Sequence, residues 1–485
     1  MSRIKVYGNK AIVLDEINYS FLQALDLELS YKLVGIEHTL AYKRGWDGRT
    51  RLLKNNLEFP AGLVQRVVEL YDRAGIEVEV FDSNKYKDNR PFDISKRLKE
   101  MDKSPRDYQI FTANKALECK KGIVKICTGG GKTLVAAQLV AEIGGNAVIY
   151  VIGKDLLWQF KNFFEDVFQK DIGVIGDGVC DIQPITIASV WSVGQAFGMK
   201  KRNSFDDERN IEKRINEKKF KDIKEYISTT DISIMDECHL GAAETIQRIS
   251  TSIKSKYIIG MSASPSRDDG ADLLIEAIFG KIIVNISASE LIEKGFLVKP
   301  YIRFLPVPKM TGIGNTYKQK YKNFIVNNKI RNNFIVKGGI KMVEEGFITM
   351  VLYKEIEHGS ILYEMFQEKN VSCRILNGKM SSKQRKEGVD DLLNDKCKLL
   401  LASSIFDIGI DIPSLSGLIL AGAGCSKIRA IQRLGRCIRA SKNKTMAAIL
   451  DFNDNCKYLN KHSRRRYEIY KQEKGFEVSW KGRIP

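Results

Sequence analysis

Residues 123–133 read IVKICTGGGKT, an apolar run that stops in a threonine, three glycines, a lysine and a second threonine. Gly129, Gly130 and Gly131 carry no Cβ, so their amides can curl inward beside that of Thr128 and cradle phosphate oxygens. The stretch LVAAQLVAEI that follows suits a helix, whose N-terminus would add partial positive charge at the same point. Lys132 can then reach the β- and γ-phosphates, and the Thr133 hydroxyl can ligate Mg2+. A strand, a Gly-rich turn and a helix in this order are the context of a P-loop, although Ile126 stands where the general pattern has its first glycine.

A second apolar run, ISIMDECH at 232–239, ends in adjacent carboxylates. Asp236 is suited to hold Mg2+ through its water shell, and Glu237 to orient and deprotonate an attacking water. His239 reads as a coupling residue toward the next motif rather than a metal ligand. Upstream, in SPRDYQIFTANKAL, the Gln109 amide offers both a donor and an acceptor to an adenine edge, with Arg106 or Tyr108 to flank or stack on the base. Far downstream, IQRLGRCIRA sets Arg436 and Arg439 three apart, on one face of a helix. Two such arginines could serve as fingers to a γ-phosphate, or form a plain basic surface helix.

These groups need a scaffold. From about residue 105 to 280, short β-branched runs (IVKIC, AVIYVI, ITIAS, ISIMD, KYIIGMS) alternate with helical stretches. The alternation restarts at about residue 300 with YIRFLPV, FITMVLY, VSCRIL, KLLLAS, GLILAG and AAILDF. Continuous apolar strands suit parallel sheets covered on both faces, so two successive α/β halves are expected. The first ~95 residues are richer in strand, with AIVL and IEVEVF as candidates and a helix expected at FPAGLVQRVVELYDRAG. The polar stretch DSNKYKDNRPFD reads as a linker. The densely charged segment 199–227 spaces Ile211, Ile215, Phe220, Ile223 and Ile227 almost helically, as a solvent-facing amphipathic helix or a DNA-facing insertion would.

Composition narrows the class. Of 485 residues, 78 are Lys or Arg and 59 Asp or Glu, a formal charge of +19 that favours a polyanionic partner, nucleic acid above all. The nine cysteines form no CxxC pair and the four histidines are far apart, so a disulfide scaffold, a zinc ribbon and a His-based metal site are not expected. No apolar stretch is long enough for a membrane span, and the N-terminus lacks a secretory h-region, so the expected setting is the cytoplasm.

In order, RDYQ, CTGGGKT, GKDLLWQ, DECH, SAS, SSIFDIGIDIP and QRLGRCIR resemble the motif series of superfamily 2 helicases of the DEAD/DEAH-like type, over residues 105–452. The resemblance implies an α/β fold class. It would have two tandem RecA-like parallel-sheet domains (100–290 and 296–485, the latter with a C-terminal basic helix) and a small N-terminal α+β domain (1–95) for DNA binding. It also implies ATP and Mg2+ as cofactors. By the same resemblance Ser262 and Ser264 couple hydrolysis to movement, Gly409 and Asp411 join the nucleotide and nucleic-acid sites, and Gln432 belongs with Arg436 and Arg439. Ile152 and Gly153 depart from the family's Pro-Thr pair. GWDGRTRLLKNNLEFPAGLV, GMSASPSRDDG, VLYKEIEHGS and SRRRYEIYKQEKGF are further similar to bacteriophage UvsW-type recombination helicases. That likeness implies branch migration, fork regression and 3′-to-5′ unwinding, in the host cytoplasm if the gene is a phage's. A monomer is the expected state, with recombination or replication proteins as candidate partners.

A translocating motor should hold the backbone rather than read bases. Candidate contacts are Lys154, Ser189, Trp191, Ser192, Lys354, Ser403 and Ser404. In the N-terminal region Lys43, Arg44, Arg49 and Arg51 surround Trp46, which would wedge or stack at a junction or else sit in the core of the small domain. Arg464, Arg465 and Arg466 form a short basic run expected in solvent or on a duplex. An RNA helicase, a duplex translocase within a restriction or remodelling complex, and an ATP-switched clamp remain open alternatives.

Overall fold

The alternation of apolar and polar residues from position 2 onward makes half-buried strands, and the computed structural model contains them. The structure describes residues 1–199, 210–267, 269–310, 314–403, 412, 414–424, 434–435, 437–441 and 444–480. By contact density the chain divides into two compact units, Met1–Ile126 with Gly131–Asn285, and Cys127–Gly130 with Ile286–Pro485.

The first unit begins with an α+β lobe. Its strands are β1 (Ser2–Tyr7), β2 (Lys10–Val13), β3 (Ser30–Lys32), β4 (Arg49–Arg51), β5 (Glu58–Pro60) and β6 (Val78–Asp82). They form a sheet in the order β5-β2-β1-β6 and a separate β3-β4 ribbon. Ile4, Val6, Ala11, Val13 and Phe59 face inward against Phe21 and Leu25 of helix Tyr19–Glu28, and Val67 and Tyr71 of helix Val64–Arg73. Asn18 starts the first of these helices, its side chain accepting the Phe21 N–H at 2.8 Å. The expected helix at 59–75 is preceded by a tight turn, Ala61–Leu63.

The lobe is docked on the helix Asp272–Phe279, whose Leu273 and Ala277 belong to the lobe's own core. Gly62 permits the close approach, since a Cβ there would lie 2.2 Å from the Glu276 carbonyl oxygen. Arg66 adds ion pairs to Glu276 at 2.6 Å and to Glu28 at 2.9 Å. The expected linker is pinned rather than loose: Phe92 N–H donates to the Ala141 carbonyl at 2.8 Å, and its ring meets Phe168 edge-on at 5.8 Å.

The large sheet of this unit comprises β7 (Lys121–Ile126), β8 (Ala147–Val151), β9 (Gly173–Gly176), β10 (Val179–Asp181), β11 (Ile185–Ser189), β12 (Ile232–Asp236), β13 (Tyr257–Ser262) and β14 (Ile282–Ile286). Its order is β10-β9-β11-β8-β12-β13-β7-β14. From β9 across to β7 every neighbouring pair is parallel, and all residues of β8 and β12 are buried. That burial accounts for the unbroken apolar sequence of β8 and the Ile and Met residues of β12. The described part of the charged segment is helix Asn210–Thr229, which buries Ile223, Tyr226 and Ile227 and leaves Lys218, Lys219 and Lys221 exposed; the side chains of Ile211 and Ile215 lie outside the described residues. It is an amphipathic surface helix, tied down by the Tyr226 hydroxyl donating to the Ala147 carbonyl at 2.8 Å.

The second unit holds β15 (Lys299–Val307), β16 (Thr349–Tyr353), β17 (Cys373–Leu376), β18 (Leu399–Ser403), β19 (Gly417–Leu420), β20 (Met446–Asp454) and β21 (Glu477–Trp480), ordered β17-β18-β16-β19-β20-β15-β21 and parallel throughout. Its core contains two buried ion pairs on β20. Arg331 bonds Asp454 at 2.8 Å, both side chains fully enclosed, and Arg466 bonds Asp451 at 2.8 Å. The expectation that the run 464–466 lies in solvent therefore fails at Arg466. One turn of helix Leu459–Lys471 aims that residue inward, where Asp451 and the Gly424 carbonyl satisfy it. No helix among the described residues is long and apolar enough to cross a membrane.

Candidate nucleotide site and its couplings

Strands β7, β13 and β12 are neighbours, so the segments that follow them meet at one edge of the first sheet. Carboxyl ends of adjacent parallel strands are where α/β folds collect ligands. After β7 the chain turns through Gly129 at φ 87 and Gly131 at φ 78, both left-handed, and enters helix Lys132–Ile143. Alternating backbone handedness of this kind turns successive N–H groups to one side, as an anion nest requires. The Thr128 hydroxyl is buried with no hydrogen-bond partner among the described residues. Lys132 and Thr133 are half-buried at the helix start.

Gln109 lies against this turn. A Cβ on Gly131 would fall 2.3 Å from the Gln109 amide nitrogen. Gln109 itself is buried, and its carbonyl oxygen accepts the Arg106 N–H at 2.9 Å. Tyr108 is buried as well, its hydroxyl 3.4 Å from the Arg106 guanidinium. The Tyr108 ring is therefore enclosed, while Arg106 is half-buried.

Asp236 ends β12 in a fully enclosed position. Burial pushes its carboxyl up to about 7, the Glu237 charge adds to the rise, and the Lys132 ammonium opposes it. Glu237 moves the other way. Burial alone would raise it, but the His239 hydrogen bond and the Lys132 charge bring it below the usual carboxylate value. Two adjacent carboxylates thus have different proton affinities, one poised and one ionised. Glu237 is also held at φ 54, a left-handed conformation uncommon for a side chain of its size. Among the described residues no three His, Cys, Asp or Glu are arranged to hold a metal.

From Glu237 a hydrogen-bonded triangle runs to β13. His239 Nδ1 lies 3.2 Å from the Glu237 carboxylate, the Ser262 hydroxyl donates to the same carboxylate at 3.3 Å, and His239 and Ser262 are 3.3 Å apart. Ser262 Oγ further accepts the Ser264 N–H at 3.2 Å. Ser264 keeps a buried hydroxyl without a partner among the described residues. Sequence reasoning overlooked Arg267, which donates to the His239 carbonyl at 3.3 Å and to Asp269 at 2.8 Å. Its signal was the quoted but unassigned stretch SASPSRDDG.

The expected strand contacts spread along the same edges. Lys154 opens helix Lys154–Phe168 after β8 and pairs with Asp177 at 2.6 Å, a partner the sequence did not suggest. Ser189 ends β11, followed by an exposed Trp191 and a half-buried Ser192. In the second unit Lys354 follows β16, its ammonium 4.8 Å from the centre of the Tyr321 ring, and Ser403 is buried at the end of β18. Trp46 is 38% exposed, so it is not a core residue of the small lobe. Arg49 bonds the Ser30 hydroxyl at 3.0 Å across the β3-β4 ribbon. Arg439 lies beside Leu297, joined by the 2.8 Å bond from Val298 N–H to the Ile438 carbonyl. Ser404, Gly409, Asp411, Gln432 and Arg436 fall outside the described residues.

A parallel sheet with a glycine cradle, a lysine and paired carboxylates at its carboxyl edge defines a P-loop nucleotide-hydrolysing domain, followed here by a second parallel-sheet domain. Residues 102–267 match the family described as type III restriction enzyme, res subunit, and residues 333–441 match the helicase conserved C-terminal domain. The chain belongs to the superfamily 2 helicases, ATP-dependent enzymes built on two RecA-like domains. It is 27% identical to putative helicase 22 of a Sulfolobus islandicus filamentous virus, over 81% of this chain and 71% of that protein. It is 24% identical to the ATP-dependent DNA helicase uvsW of Enterobacteria phage T4, over 92% of each. Among solved structures, a fragment of a putative HsdR subunit of a type I restriction enzyme from Vibrio vulnificus shares the fold at a TM-score of 0.54 and 18% identity, covering 73% of this chain and 66% of that one.

Proposed function

We propose that this helicase is a DNA motor that unwinds and branch-migrates forked or four-way DNA in recombination, repair and replication restart. The observation that carries the hydrolytic part is the meeting of the glycine cradle, Asp236–Glu237 and the His239–Ser262 triangle at one sheet edge. The choice of DNA is supported by the whole-length similarity to a phage enzyme whose name is DNA helicase, and by an exposed tryptophan beside arginines in the N-terminal lobe.

In this reading Thr128 to Gly131 cradle the phosphates, Lys132 reaches the β- and γ-phosphates, and Gln109 with Arg106 meets the adenine. Thr133 and Asp236 would hold Mg2+, which would supply positive charge to the phosphate oxygens. Glu237 orients and deprotonates the attacking water. Arg436 and Arg439 supply positive charge to the transferring phosphoryl group, with Gly409, Asp411 and Gln432 as their companions. Ser262, Ser264 and His239 relay the state of Glu237 to the strand-gripping residues Lys154, Ser189, Trp191, Ser192, Lys354, Ser403 and Ser404. Trp46 and Arg49 hold the branch point.

The test compares ATP hydrolysis and unwinding on single-stranded DNA, forks, four-way junctions and RNA duplexes, with Glu237→Gln as control. The control should bind ATP yet hydrolyse it at least ~100-fold more slowly, the usual scale for a lost general base. A preference for RNA duplexes overturns the choice of DNA. Wild-type hydrolysis by Glu237→Gln overturns the site.

A further inference from the structure

Strands β15 and β20 run side by side and finish together, with Val307 opposite Asp454. Beyond their carboxyl ends lies a groove of about 580 Å3 lined by Lys309, Lys320, Lys457, Lys461 and Arg464, with no Asp or Glu among the described residues of its wall. The charge is built into the sequence. Between Tyr301 and Val343 there is no Asp or Glu, nor is there one between Asn455 and Tyr467. Two acid-free, lysine-rich stretches, far apart in the chain, therefore converge on one surface.

A merely solvated face would explain lysines but not the aromatic residue among them. Tyr458 is 40% exposed and sits at φ 72, ψ −48, a strained backbone for a non-glycine residue. The Lys320 and Lys457 ammoniums lie 5.3 and 5.4 Å from its ring centre, and the exposed Tyr317 ring meets it edge-on at 6.5 Å. Helix Leu459–Lys471 starts at this residue, so its positive end faces the same place. Strain that exposes an aromatic ring among cations is the kind of outlier that marks a binding surface.

We infer that this groove binds single-stranded nucleic acid, with Tyr458 stacking on a base and Lys457, Lys461 and Arg464 holding the flanking phosphates. A flat ring for the base and point charges for the backbone form a sequence-tolerant grip. None of the strand contacts assigned above lies here. Along the sheet, β19 separates β16 from β20, so the groove stands two to four strands from Lys354 and Ser403, on the order of 10–20 Å. It is a second station for a strand that has passed those residues, and it rests on reading the chain as a nucleic-acid motor.

The test uses the full chain, oligothymidylates of increasing length and fluorescence anisotropy at several salt concentrations. Tyr458→Ala should weaken binding of long oligomers at least about fivefold, while short ones bind as before. The triple variant K457Q/K461Q/R464Q should lower the slope of log K against log salt by about 2 for long oligomers, at ~0.7 per phosphate released. ATP hydrolysis at saturating short oligomer should be unchanged in both variants. A 5-iodouracil oligomer should photocrosslink to Tyr458 in the wild type. Unchanged slopes with no crosslink in the groove overturn the inference and leave the motor reading standing. A wild-type chain that binds no oligomer of any length overturns both.

Discussion

Replacing Gly62 with alanine is expected to lift the N-terminal lobe off helix Asp272–Phe279 and leave the nucleotide site intact. The new Cβ would start 2.2 Å from the Glu276 carbonyl oxygen and 2.6 Å from that of Ala277, both backbone atoms of a packed helix. Ordinary carbon–oxygen contact needs about 3.5 Å, so one element must retreat by about 1 Å. Overpacking of this sort costs about 1–3 kcal/mol. The same movement stretches the Arg66–Glu276 pair, worth up to about 1 kcal/mol at its partial exposure. Gly75→Ala is the matched control: its φ of +70 also strains an added side chain, but nothing lies within 4 Å. The assay is limited proteolysis of the strap 83–93, followed by hydrolysis and unwinding. Gly62→Ala should be cut faster than Gly75→Ala, keep hydrolysis stimulated by single-stranded DNA, and lose unwinding of junctions. Equal protease resistance in the two variants would refute the packing argument. Lost hydrolysis in Gly62→Ala would refute the division of labour between lobe and motor.

Two other outcomes follow from hydrogen bonds in the two units. Ser262→Ala removes one donor to Glu237 and the contact to His239 and should cost about 1 kcal/mol at that carboxylate, so hydrolysis falls less than about tenfold while strand displacement falls further. Equal losses of both activities would count against a coupling role. His358 is held neutral, its pKa pushed down to about 3 by burial and then by the Arg331 charge, so below its ordinary 6.5 the unfolded chain takes a proton that the folded chain refuses. Stability of the second unit should therefore fall as pH drops from 6.5 toward 3, by about 2 kcal/mol at pH 5. His358→Gln, which can still donate to Asn332, should flatten that fall in denaturant titrations at each pH, and a wild-type curve flat across the range would contradict it.

The motor core was legible in the sequence because its strands are buried on both faces and its motifs sit where those strands end. ISIMD and KYIIGMS announce β12 and β13 by runs rich in Ile and Met, and the charged pair that closes the first falls at the end of its strand. Four strands of the two large sheets were left unread: Gly173–Gly176, Val179–Asp181, Ile282–Ile286 and Glu477–Trp480. All are short; the first is flanked by glycines, and the other three lie at sheet edges, where partial exposure breaks the apolar pattern. The direction of Arg466 was illegible for another reason. Three consecutive arginines look alike in a string, and only the helical turn decides that the third meets a carboxylate 15 residues away. Likewise nothing in CTGGGKT signals that Gln109 touches its last glycine. Pairings that close through space between distant segments leave no periodicity to read.

The carboxylates of β20 have an electrostatic consequence beyond the core. Asp451 and Asp454 are the acids nearest in sequence to the groove at the end of that strand, and left bare they would repel an incoming polyanion. Each is instead neutralised from within by a guanidinium that water does not reach. The outward field at that rim is thereby left to the lysines and Arg464, and removing either internal cation would unmask a negative charge at the place where a polyanion would dock.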